Sequence, residues 1–218
     1  MRSQRVIVPK YGVDLPHNPP LRPTRQPASQ ISPTMRLPYA QNPPPTSNEE
    51  EAAILQRVQA RRGERGLLPL DLALLHSFPV ADGWNSFLGA VRTRTSLPAD
   101  LREIAICRVA AINGAWFEWT HHAPLLTETG FSDEALELLK REDNASDAEV
   151  GRLMDKRQAA VLRYTEEMTK NVKVSDETFS VLKELFSDRE IVEITATVGA
   201  YNCVSRFLVA LDVGEMNK

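Results

Sequence analysis

Leu97–Gly130, LPADLREIAICRVAAINGAWFEWTHHAPLLTETG, reads as two consecutive helices broken at Asn113-Gly114. The first, over 98–113, is apolar nearly all round, with Leu101, Ile104, Ile106, Val109 and Ile112 on every side. A helix with so little polar surface is central in its domain or buried between subunits. Yet the stretch also carries Glu103, Glu118, His121 and His122. Carboxylates and imidazoles are costly to bury unless they meet one another, a ligand or a partner subunit.

The rest of the body carries the same helical punctuation. Ser47-Asn48-Glu49-Glu50, Ser146-Asp147-Ala148-Glu149 and Ser187-Asp188-Arg189-Glu190 match the capping box, in which a serine and a glutamate satisfy the free amides of a helix start. Ser132 and Ser175 read as simpler N-caps, and Pro98 sits where a helix entry tolerates proline. The pattern predicts helices near 48–62, 70–77, 80–94, 98–113, 115–129, 133–141, 147–170, 176–186 and 188–212. No segment alternates with period two between turn signals, so an all-α body is expected.

Eleven of the fifteen prolines precede position 46, a composition that holds neither helix nor central strand. Residues 1–45 are therefore read as an extended arm and 46–218 as a helical domain. The arm has six basic residues against Asp14 alone, a net +5, which leaves −8 on the remainder of a chain of overall charge −3. So acidic a body is a poor partner for nucleic acid. No apolar run approaches a membrane span, so no membrane partner is expected. Cys107 and Cys203 lie far apart and form no CxxC, which fits a reducing compartment. A cytoplasmic location is expected. A transit peptide in the acidic-poor arm and a true start at Met35 are the alternatives.

Glu118 and His122, four residues apart, share a helix face and can touch. Glu103, one helix earlier on a stripe with Ala99, Cys107 and Ala110, converges on His122 if the helices fold back around Gly114. A carboxylate fixes the tautomer of a neighbouring imidazole, and burial raises a carboxylate's pKa, which are the makings of a general acid/base pair. The plainer readings stand alongside: a helix-stabilising Glu–His contact, Glu103 paired with Arg102 or Arg108, His76 as a satisfied helix end, Trp84, Trp116 and Trp119 as packing anchors, and Cys107 as a small hydrophobe. There is no H-E-x-x-H, so no metal is expected, and without a phosphate loop, G-x-S-x-G or dinucleotide fingerprint nucleotide and serine-hydrolase chemistries are unsupported.

The run from Leu97 through Glu134 resembles the carboxymuconolactone decarboxylase family, the all-helical superfamily that also holds the AhpD-type alkylhydroperoxidases. The resemblance rests on Leu101-Arg102-Glu103, the break at Asn113-Gly114 and His122 eight residues before Gly130, with looser likeness over 36–212, including RLPYA at 36–40. It implies an AhpD-like helical bundle that forms a homo-oligomer. It also implies a cofactor-free lyase acting on a small carboxylated lactone or related enolisable carbonyl compound, as in aromatic compound catabolism. Glu103, Glu118 and His122 would then be the catalytic residues. His122 would donate the proton or hydrogen bond, Glu103 or Glu118 would orient it or shuttle the proton, and Arg102, Arg108 or Arg206 would hold the substrate carboxylate. The peroxidase branch carries C-x-x-C-x-x-x-H; aligned on His122, its cysteine positions are Ala115 and Glu118 here, so dithiol chemistry is excluded as a mechanism. A peroxidase-type antioxidant working without those thiols is a further alternative. So is a non-catalytic helical oligomer or small-ligand-binding protein of the same fold.

Overall fold

The computed structural model describes residues 35–217, so the arm up to residue 34 lies outside the described residues. Ten α-helices follow: α1 (Glu49–Arg62), α2 (Pro69–Leu74), α3 (Phe78–Thr93), α4 (Ala99–Ile112), α5 (Trp116–Thr127), α6 (Asp133–Lys140), α7 (Asp147–Leu153), α8 (Lys156–Asn171), α9 (Asp176–Leu185) and α10 (Asp188–Leu211). There is no strand among the described residues. The caps at Ser132, Ser146, Ser175 and Ser187 all form, the second and fourth as complete capping boxes. At α1 the cap is Asn48, one residue beyond the expected Ser47, because the Asn48 side chain accepts from the Glu51 amide. The helix expected over 147–170 is two. Asp155 and Gln158 make their own capping box, so α8 restarts after Met154 instead of continuing α7.

Helix α4 lies at the centre, packed against α5, α6, α8 and α10. Its segment from Glu103 to Ala110 is buried on all sides. Each large aliphatic side chain removed from water there contributes about 1.5–3 kcal/mol. α10 has the length and apolarity of a membrane span by composition alone, closer to that limit than the apolar runs suggested. Here it is a core helix, with Ile194, Val198, Tyr201 and Leu208 buried.

Residues 35–45, assigned to the arm by composition, pack against the C-terminal end. Met35 is buried and donates its amide to Glu215 Oε1 at 2.8 Å, Arg36 donates to the Leu211 carbonyl, and the Tyr39 hydroxyl bridges Glu215 and the Gly214 amide. Gly214 is required there. Its φ is +79°, and a Cβ would lie 2.0 Å from the Phe117 ring of α5. His76 is the satisfied helix end expected, bonded through Nε2 to the Pro38 carbonyl at 2.7 Å. Trp84 packs on Phe207 and Trp119 is buried, while the more exposed Trp116 meets the Trp119 ring edge-on.

Arg108 is the largest fully buried side chain. It meets Glu166 of α8 at 2.6 Å and the carbonyls of Leu139 and Arg141, while Arg163 braces Glu166 at 2.9 Å. This polar knot stitches α4 to α6 and α8, and it removes Arg108 from the expected carboxylate-binding candidates. Arg206, bonded to Asn202 on its own helix, is removed as well. Replacing Arg108 with Met leaves two buried carbonyls and part of Glu166 unpartnered. It should cost about 3 kcal/mol in denaturant unfolding at unchanged helix content.

Candidate functional site

The chain reverses between α4 and α5 at Gly114, whose φ of +64° suits glycine at the turn. The reversal brings Glu103 and His122, nineteen residues apart, into contact: His122 Nδ1 lies 2.6 Å from Glu103 Oε2. Arg102 holds the other Glu103 oxygen at 3.2 Å. Glu103 thus pairs with Arg102 and not Arg108, and it does so while also serving the histidine. Burial works to raise the Glu103 pKa, but the His122 hydrogen bond and the charges of His122, Arg102 and Arg92 outweigh it and hold the carboxyl below its usual range. Burial pulls His122 down against the pull of Glu103. The favoured state near neutral pH is a Glu103 carboxylate accepting Nδ1–H from a neutral imidazole. The Nε2 lone pair is then left facing the Tyr201 hydroxyl, 3.3 Å away.

Glu118 behaves differently. It shares a cavity wall with His122 but makes no hydrogen bond to it, and neither of its buried oxygens has any partner. The expected Glu118–His122 contact is therefore absent. Burial alone raises the Glu118 pKa well above the carboxylate range, so the side chain is a neutral acid. The cavity they share is about 70 Å³, walled by Leu88, Phe117, Tyr201, Val204 and Leu208, with Arg61, Arg62 and Arg92 at one side. His121 also lines it, with Nδ1 bonded to the Phe117 carbonyl.

Tyr201 of α10 and Arg61, Arg62 and Arg92 of α1 and α3 are the lining residues that sequence reasoning missed. A tyrosine inside an apolar helix and arginines in the last turns of two helices carry no local mark of a site. Arg102 is the one expected carboxylate binder that stays near it. Among the described residues no three of His, Cys, Asp and Glu form a cluster able to hold a metal ion. Cys107 is buried in α4, where desolvation raises its thiol pKa, and Cys203 is exposed on α10. Chemically, the arrangement offers a carboxylate-braced imidazole as proton acceptor, a neutral carboxyl as proton donor, and cations beside both.

Burial raises Glu118, so its stability contribution is fully present below the ordinary carboxylate range and is lost as pH rises through the higher folded value. Glu118→Gln should therefore gain stability relative to the parent as pH rises above about 4, read from urea midpoints. Infrared difference spectra at neutral pH should show a protonated carboxyl band that the same substitution removes. A deprotonated Glu118 would show neither effect.

Residues 79–162 match the model of the Carboxymuconolactone decarboxylase family. An uncharacterized peroxidase-related protein from Silicibacter sp. TM1040 has the same fold, with a TM-score of 0.65 and 16% identity over 88% of this chain and 98% of that one. An uncharacterized peroxidase-related protein from Ralstonia eutropha JMP134, described as an alkylhydroperoxidase AhpD core, gives 0.64 and 18% over 84% and 93%. The debrominase Bmp8 gives 0.60 and 16% over 77% and 88%. No curated protein sequence matches the chain. At these identities the structural likeness is one of fold. The likenesses therefore amount to a match to the carboxymuconolactone decarboxylase family model over residues 79–162 and a helical fold shared with AhpD-like proteins, with Ala115 and Glu118 inside the matched segment.

Proposed function

We propose that this protein is a cofactor-free lyase of the decarboxylase type, acting on a small carboxylated lactone or a related enolisable carbonyl compound. The observation that carries this reading is the unpartnered Glu118 carboxyl, which burial holds toward its protonated form, lining the same cavity as His122. A donor and an acceptor whose environments push their pKa values apart are what proton transfer at carbon requires. The family match over 79–162 supports the reaction class.

The reacting end of the substrate, with the carboxylate to be lost, enters the Glu118–His122 cavity. The C–CO₂ bond breaks, CO₂ leaves, and the bonding pair delocalises onto the lactone carbonyl. Glu118 then delivers its proton to carbon, and solvent returns one to the Glu118 carboxylate. His122, fixed by Glu103, presents Nε2 as the acceptor for a substrate hydroxyl or activated C–H, with Tyr201 as its resting partner. This division of labour differs from the sequence expectation, which made His122 the donor. An imidazole that burial keeps neutral and that spends Nδ1–H on Glu103 has no proton to give at Nε2.

The alternative is a small-ligand-binding protein of the same fold without turnover. One observation favours it: Glu103 is fully engaged by His122 and Arg102. A homo-oligomer and a cytoplasmic location complete the proposal. A screen of carboxylated butenolides, following CO₂ release, separates the two readings. Glu118→Gln and His122→Gln should each lower kcat by about 10²–10⁴, and deuterium from D₂O should appear at the protonated carbon. Full turnover by Glu118→Gln would remove the proposed proton donor. No release from any such lactone would leave the binding reading in place.

A further inference from the structure

Next to the acid/base cavity lies a larger cleft of about 870 Å³, formed where α1 and α3 end, α4 begins and α5 ends. The two share Arg61, Arg62, Leu68, Arg92 and His121 as walls, and Glu103 also lines the cleft. Five arginines face it, and they are of two kinds. Arg62 is paired with Asp71 at 2.6 Å, and Arg102 with Glu103. Arg61 bonds only the neutral Asn85 side chain. Arg65 and Arg92 have neither hydrogen bond nor ion pair among the described residues.

Helix dipoles explain a cation in the last turn of α1 or α3. They do not explain why three guanidiniums without an ion-pair contact, from two helices and the following turn, face one space. Glu128 offers a single exposed carboxylate on the far wall. Crowding has a cost: burial, followed by the charges of Arg62 and Arg92, pulls the Arg61 pKa down despite Asp71. A bound anion would relieve that repulsion, and guanidiniums suit oxyanions because their donors lie in a planar fork.

We propose that this cleft is an anion subsite for a multiply charged oxyanion group, a phosphate or a di- or tricarboxylate, at the distal end of an elongated ligand whose reacting end occupies the Glu118–His122 cavity. A lone carboxylate would fill neither the volume nor the three unpaired charges. The link to a reacting end rests on the proposed function; the anion subsite itself does not.

The test is calorimetric titration of the full chain with inorganic pyrophosphate and, separately, with tricarballylate, neither of which requires turnover. Saturable binding is expected, weakening as salt rises. Arg92→Gln should weaken it by about tenfold or more and the exposed Arg65→Gln by several-fold. Arg206→Gln, outside the cleft, and Glu118→Gln should leave it unchanged. The tighter of the two probes identifies the oxyanion as phosphate or carboxylate. Absence of binding by both probes would overturn the subsite, as would binding indifferent to Arg65 and Arg92. Anion binding without CO₂ release from any lactone would retain the subsite and remove the lyase reading. CO₂ release without anion binding would do the reverse.

Discussion

The burial of α4 on every side is the constraint that organises this molecule. A helix surrounded by α5, α6, α8 and α10 cannot send its charged residues to water, yet it carries both Glu103 and Arg108 in its buried core. An isolated charge in such a place costs several kcal/mol even after relaxation. Each must therefore be met by another element, and the two solutions divide the helix by role. Arg108 is met by Glu166 and two carbonyls, a closed and structural arrangement. Glu103 is met by a histidine, a group that can itself exchange a proton. The demand of one core helix for charge compensation thus fixes both a staple between helices and one half of the candidate site.

Much of this was legible in the sequence because the signals are local. Capping serines act on amides within one turn, so the starts of α6, α7, α9 and α10 could be read directly. The Glu103–His122 contact followed from a glycine break between two apolar helices, which leaves a hairpin as the economical packing. The split between α7 and α8 was hidden because Asp155 and Gln158 use the capping box with different residue types, and no glycine or proline marks the gap. Arg61, Arg65, Arg92 and Tyr201 were hidden for a stronger reason. They come from elements distant in sequence, and an arginine at a helix end has an ordinary explanation in the helix dipole until the fold shows what lies opposite it.

The carboxyl at position 118 has consequences for the pocket wall it belongs to. A thiol buried without partners is an ordinary apolar group. A carboxyl in the same surroundings is tolerable only when protonated, since the neutral form avoids the larger part of the desolvation cost. The position therefore converts an apolar pocket wall into a stored proton, at the expense of two unsatisfied oxygens. Natural cores rarely accept that expense without a ligand or a reaction to set against it.

Two buried glutamates on adjacent helices thus hold opposite protonation states, and the difference lies in their neighbours. Glu103 has a hydrogen-bonded imidazole and the nearby charges of Arg102 and Arg92; Glu118 has burial alone as the cause of its shift. Arg92 bears on Glu103, His122 and Tyr201, and it lines the same cavity as Glu118. A cation on that rim favours an ionised carboxyl, so an anion bound beside Arg92 offsets that pull. An anion bound there moves the balance further the same way, because its charge disfavours a second negative charge on Glu118. The proton is retained until negative charge develops on the substrate carbon itself, which is the order that protonation after loss of CO₂ demands.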